Sequence, residues 1–155
     1  VREGGGVTFQ YDDASWHADG DFPAGLDERA AGTHIGLFFA WCLINGMASE
    51  ELSADAGDDI AAVLARRMTG RDVLFKVCHG RLVDDDLNEA GNAFARAYYA
   101  GAEGKGYGAY LADYRATLVG TLPSDYLVED TWENADRIGS VITRRYASFL
   151  ALGQV

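Results

Sequence analysis

Hydrophobic side chains run around nearly the whole circumference of "THIGLFFAWCLINGM", Thr33 to Met47. A helix with that pattern belongs inside a bundle, enclosed by other helices. Thr33 is expected to cap its start, and Asn45 with Gly46 to supply a left-handed exit. Amphipathic segments follow. After a helical turn at "SEEL", residues 49 to 52, "DDIAAVLARRM" puts Ile60, Val63 and Leu64 on one side of a short helix and keeps its arginines outside. In "TGRDVLFKVCHG", Thr69 and Asp72 have capping-box spacing and Gly80 marks a stop. "DDLNEAGNAFARAYYAG" sets Leu87, Gly91, Phe94 and Tyr98 in one stripe behind an Asp86 and Glu89 box, and Tyr107, Tyr110, Leu111, Tyr114 and Leu118 make a second stripe. The last helix presents Trp132, Ala135, Ile138, Ile142 and Phe149 on a broad face. Asp130 and Glu133 box its start, and Arg144 and Arg145 lie toward the end where cations suit the dipole.

Strand signals are few. "VTFQY" alternates Val7, Phe9 and Tyr11, "YLV" at 126 to 128 is short, and these two pieces are candidates to pair. The pattern therefore predicts a mainly α fold: a compact single-domain helical bundle with an irregular N-terminal arm and at most a small β element. Residues 1–10 form the N-terminus, 11–150 the helical domain and 151–155 a tail. There are no solenoid-period repeats, low-complexity tracts or long linkers to divide it.

Composition agrees with one core: 155 residues, 48% hydrophobic. Cys42 and Cys78 both lie in apolar runs, where a thiol packs as a small hydrophobe, so the expectation is free cysteines in a reducing cytoplasm. No apolar run approaches the roughly 20 residues that cross a bilayer, and the opening has no signal-peptide core, so no membrane association is expected. Charge is more informative. Twenty-four acidic against thirteen basic residues give a net charge of −11. That surface repels nucleic-acid phosphates and speeds encounter with a basic protein.

Several chemical motifs fail on inspection. Asp84, Asp86 and Asn88 alternate as in a calcium loop, but the positions that need glycine and a bidentate glutamate hold Glu89 and Ala95. The loop "GAEGKGYG" is rich in glycine, yet it follows a helix and no hydroxyl comes after Lys105, so it is not a P-loop. His17, His34 and His79 have no short ligand spacing, so neither a metal nor a cofactor is expected. No nucleophile elbow is present. Asn88 and Asn92, four apart beside the apolar stripe, offer amides for structural hydrogen bonds or a pocket.

The stretch "YDDASWHADGDFP", residues 11 to 23, is denser in chemistry. Asp12 or Asp13 can orient His17 or share a proton with it. Alternatively Tyr11, Trp16 and Phe22 anchor an irregular arm whose aspartates cap turns. Together, "YDDASWH", "THIGLFFAWCL", "NEAGNAFARAYY" and "VEDTWENADRI" resemble a family of small acidic bacterial proteins of uncharacterised function, from about Tyr11 to Phe149. The resemblance implies a bacterial cytoplasmic domain and weight for Asp12, Asp13, Trp16, His17, Asn92 and Trp132.

Two readings follow. The first is an acidic binding protein, of the immunity type that neutralises a basic toxin or effector, with tyrosines from 98 to 114 as contact surface. The second is an enzyme with Asp13 and His17 as acid-base pair, His34 as a second polar contact and Trp16 with Trp132 as an apolar wall. A homo-oligomer is a third, weaker reading.

Overall fold

The computed structural model describes residues 9–100 and 108–155. Val7 of the expected first strand, Tyr107 and the glycine-rich loop from Gly101 to Gly106 lie outside them. Among the described residues the chain forms seven α-helices and one two-stranded antiparallel sheet. The order is β1 (Gln10–Asp13), α1 (Ala14–Ala18), α2 (Thr33–Ile44), α3 (Glu50–Leu64), α4 (Gly70–Val77), β2 (Arg81–Val83), α5 (Glu89–Tyr98), α6 (Ala109–Tyr114) and α7 (Trp132–Leu152).

Helix α2 is the axis of the fold. Every residue from Thr33 to Leu43 is buried, as its all-round apolarity requires. Glycine on each side lets α4 pack unusually close: a Cβ on Gly36 would lie 2.6 Å from the Arg71 backbone, and one on Gly70 would overlap the Gly36 carbonyl oxygen. On another side α7 contributes Ile138 and Ile142, and the Trp41 indole N–H donates to the Thr143 hydroxyl at 3.0 Å.

The core is strongly aromatic. Phe38 packs on Trp41, Phe94, Tyr98, Tyr99 and Tyr110 with ring centroids 5.0 to 6.5 Å apart. Tyr98, Tyr99, Tyr110 and Tyr114 are fully buried, which removes them as an external contact surface. Their hydroxyls go mainly to internal acceptors, Asp113 for Tyr98 at 2.7 Å and the His34 carbonyl for Tyr110 at 2.6 Å. Cys42 and Cys78 are buried and form no disulfide, and the Cys78 thiol donates to Asp86 Oδ1 at 3.8 Å.

Most departures from expectation occur at helix ends, where a tertiary partner takes the residue that local spacing nominates. The Thr69 and Asp72 capping box forms. Thr33 does not cap α2, which is entered through a 3₁₀ turn at Glu28–Gly32; its hydroxyl accepts from the Arg71 guanidinium at 3.0 Å. Asn88 rather than Asp86 caps α5, and Thr131 rather than Asp130 caps α7. Asp86 is buried and accepts from the Val83 amide, while Asp130 accepts from the Thr69 hydroxyl at 2.6 Å. The two segments expected at 49–52 and 58–68 merge into α3 across a break at Ala56. Strand β1 pairs with β2, and "YLV" contributes instead to a 3₁₀ turn at Asp125–Leu127. Helix α7 also runs past residue 150, to Leu152.

Gly70→Ala is expected to lower stability by about 2 to 4 kcal/mol, because backbone rather than a flexible side chain blocks the new methyl group. Urea denaturation of the two proteins measures it.

Candidate functional site

The densest polar cluster begins with an irregular strand. A regular β-strand turns alternate side chains inward, yet consecutive residues Tyr11 and Asp12 are both buried. Gln10 pairs with Val83 and Asp12 with Leu82, so Tyr11 is an extra residue in the ladder, and this bulge sends two neighbours to the same side. The Tyr11 hydroxyl then donates to the Asn92 side-chain oxygen at 2.6 Å. Asn92 itself donates to the carbonyls of Asp84 and Leu87. It therefore ties α5 to the strand.

Asp12, with 0% of its surface exposed, is the hub. Its Oδ1 accepts from the Asp13 amide at 2.9 Å and from His17 Nε2 at 2.7 Å. Its Oδ2 accepts from His34 Nε2 at 3.0 Å and from the Tyr99 hydroxyl at 2.5 Å. Four donors fill the acceptor sites of one carboxylate. Burial alone would raise the Asp12 pKa; hydrogen bonds from His17 and then His34 outweigh it and hold the carboxyl well below its usual range.

Each partner is placed by local structure. Asp13 caps α1, accepting from the Ser15 amide at 2.9 Å and its hydroxyl at 2.8 Å, and one turn later His17 reaches back to Asp12. His34 comes from the first turn of α2, and its ring meets that of His17 edge to face at 4.5 Å. His17 Nδ1 lies 2.7 Å from the Tyr126 hydroxyl, and in the tautomer with the proton on Nε2 it accepts from that hydroxyl. Burial and the neighbouring Asp125 raise the Tyr126 pKa, so the hydroxyl stays protonated. Beside the two imidazoles is a cavity of about 100 Å³, also walled by Tyr114, Tyr126 and an Arg115–Asp125 ion pair closed at 2.8 Å.

Asp13 and His17 therefore do not form the expected pair; Asp12 takes that place because the bulge buries it while Asp13 is committed to a cap. Trp16 and Trp132 do not wall the cavity. Trp16 is 54% exposed on α1, and Trp132 lies under the Arg66 guanidinium, 4.6 Å from its ring centroid, in a groove between α2 and α7. His34 does join His17. Tyr99 and Tyr126 are missing from the expected set: Tyr99 falls just outside the helical stripe through Tyr98, and Tyr126 sits in a segment that reads as strand. His79 is exposed, with a φ of 58°, and stands outside the cluster.

A second feature is electrostatic. Neither residues 48–65 nor 82–95 contain a Lys, Arg or His. The fold joins them: the Ser49 amide donates to the Asp86 carbonyl at 3.0 Å, its hydroxyl to the Asp85 carbonyl at 2.7 Å, and the Asn88 amide to Met47. Glu50, Glu51, Asp55 and Asp58 are exposed on α3 beside this junction, and Glu89 is exposed at the start of α5. Lys76 reaches Asp59 and Arg96 approaches Asp84.

Asp12→Asn is expected to cost about 3 kcal/mol at pH 7, since an amide cannot accept from all four donors. The folded carboxyl titrates below its unfolded value of about 3.9, so this stabilisation is present in full above that pH and fades as pH falls below it. Urea midpoints should accordingly differ most at pH 7 and converge below pH 4.

Searches of curated proteins and of solved structures find no match. A family model does match, across residues 10–128, a span that contains Asp12, His17, His34, Tyr99 and Tyr126 and stops short of α7. The chain belongs to this family, DUF7832, a domain of unknown function.

Proposed function

We propose that this chain is a binding protein for a basic protein partner, docked on the face formed by α3 and the start of α5. One observation carries the reading: two acidic segments, each without a cation, are brought together by the Ser49 and Asn88 hydrogen bonds. A field of one sign steers a complementary partner and raises its association rate. An immunity-type role against a basic toxin or effector in a bacterial cytoplasm fits that chemistry, and the two reduced, buried thiols suit the compartment.

A second reading, an enzyme, is favoured by the cavity against which His17 and His34 stand. In the metal-free chain its acid-base pair is Asp12 and His17, with Asp12 fixing the ring so that Nδ1 meets Tyr126.

Glu50→Lys/Glu51→Lys/Asp55→Lys replaces three exposed side chains, and circular dichroism checks that the fold is kept. Affinity capture from the native host at low salt is expected to retain a partner of net positive charge. Its association rate should fall about 10-fold or more with the triple variant, and should fall with added salt in the wild type. No basic partner, or equal binding by the variant, ends the first reading. Turnover of a small polar substrate that drops about 100-fold in His17→Gln at unchanged melting temperature would establish the second.

A further inference from the structure

We propose that Asp12, His17 and His34 form a binding site for one divalent transition-metal ion of borderline softness, with zinc, cobalt or iron as occupants. The proposal goes beyond both readings above and stands independently of them. Two imidazole nitrogens and a carboxylate oxygen are a donor set such ions favour. One donor atom from each residue lies within 4.8 Å of the other two. The carboxylate-to-imidazole separations are 2.7 and 3.0 Å. Neighbouring donors around an ion bound at about 2.1 Å stand about 3.0 to 3.4 Å apart, so each carboxylate-to-imidazole pair would open by a few tenths of an ångström to take the ion between them.

The surroundings are those of a built site. The ligands come from β1, α1 and α2, and all three side chains are at least nine-tenths buried. The Asp13 amide and the Tyr99 hydroxyl each occupy one lone-pair position on a separate Asp12 oxygen, which fixes the carboxylate and leaves one position on each oxygen facing the imidazoles. The far nitrogen of His17 is held by Tyr126, as the outer nitrogen of a ligating histidine commonly is. Both histidines also border the cavity, together with Tyr126, the partner of the far nitrogen of His17.

Binding has a defined proton consequence. The ion takes Nε2 of each imidazole, so the proton of a neutral ring moves to Nδ1 and His17 changes from acceptor to donor toward Tyr126. His17 as a metal ligand and His17 as the proton acceptor of an enzyme are thus distinct tautomers of one ring.

The test titrates chelator-treated protein with Co²⁺, read by visible absorption, and with Zn²⁺ in competition with a chromophoric chelator. The expected result is one equivalent per chain at micromolar affinity or tighter, weakened at least 100-fold in His17→Gln and His34→Gln and unchanged in His79→Gln. Tyr126→Phe removes only the outer hydrogen bond and should weaken binding by about 10- to 100-fold. Should the histidine variants fail to fold, imidazole ¹⁵N spectra of the wild type decide the matter: Zn²⁺ should move the retained proton of His17 and His34 from Nε2 to Nδ1. Absence of saturable binding, or binding that leaves these tautomers and the Tyr126→Phe affinity unaltered, overturns the proposal and assigns any uptake to surface carboxylates.

Discussion

A fully buried carboxylate must be matched by hydrogen-bond donors, and meeting that demand at Asp12 organises this fold. An isolated ionised group moved into the interior costs several kcal/mol even after relaxation. Here the donors come from the Asp13 amide, from α1, from α2 and from Tyr99 beside the end of α5. Four parts of the chain must be in position at once for the charge to be tolerated. The small sheet exists in that context: two short strands alone would be marginal, but their bulge points Asp12 at α2.

The aromatic core extends the same logic. Buried tyrosine brings large apolar area and a hydroxyl that needs an acceptor. Tyr98, Tyr99 and Tyr110 end on Asp113, Asp12 and the His34 carbonyl, so ring packing and polar satisfaction fix the same geometry. Arg145 completes Asp113 from α7 with two hydrogen bonds at 2.8 Å, which couples the terminal helix to this network. Around α2 the glycines at 36 and 70 remove the volume that would hold α4 away, and the first turn of α2, with His34, is thereby set in a rigid frame.

Charge is divided between two environments. At the centre it is matched by donors of known geometry; on the face of α3 and α5 acidic side chains are exposed, where screening limits the reach of their field. That division separates the chemistry of the Asp12 cluster from the steering property of the surface.

Local pattern was enough to establish the class of fold. The buried central helix, the stripe from Leu87 to Tyr98, the Thr69 capping box and the final helix all rest on interactions within a few residues, which spacing along the chain encodes directly. The site was legible only in part. His17, His34 and Asp12 stood out by residue type, but nothing in their spacing signals a common centre, since strand, short helix and core helix each contribute one. The choice of Asp12 over Asp13 depends on a bulge opposite Leu82, and the recruitment of Tyr99 and Tyr126 on packing across 87 and 109 residues of sequence. Periodicity reports which face of an element turns inward, whereas partners are selected by what the neighbouring elements present there, and that was settled by the tertiary fold.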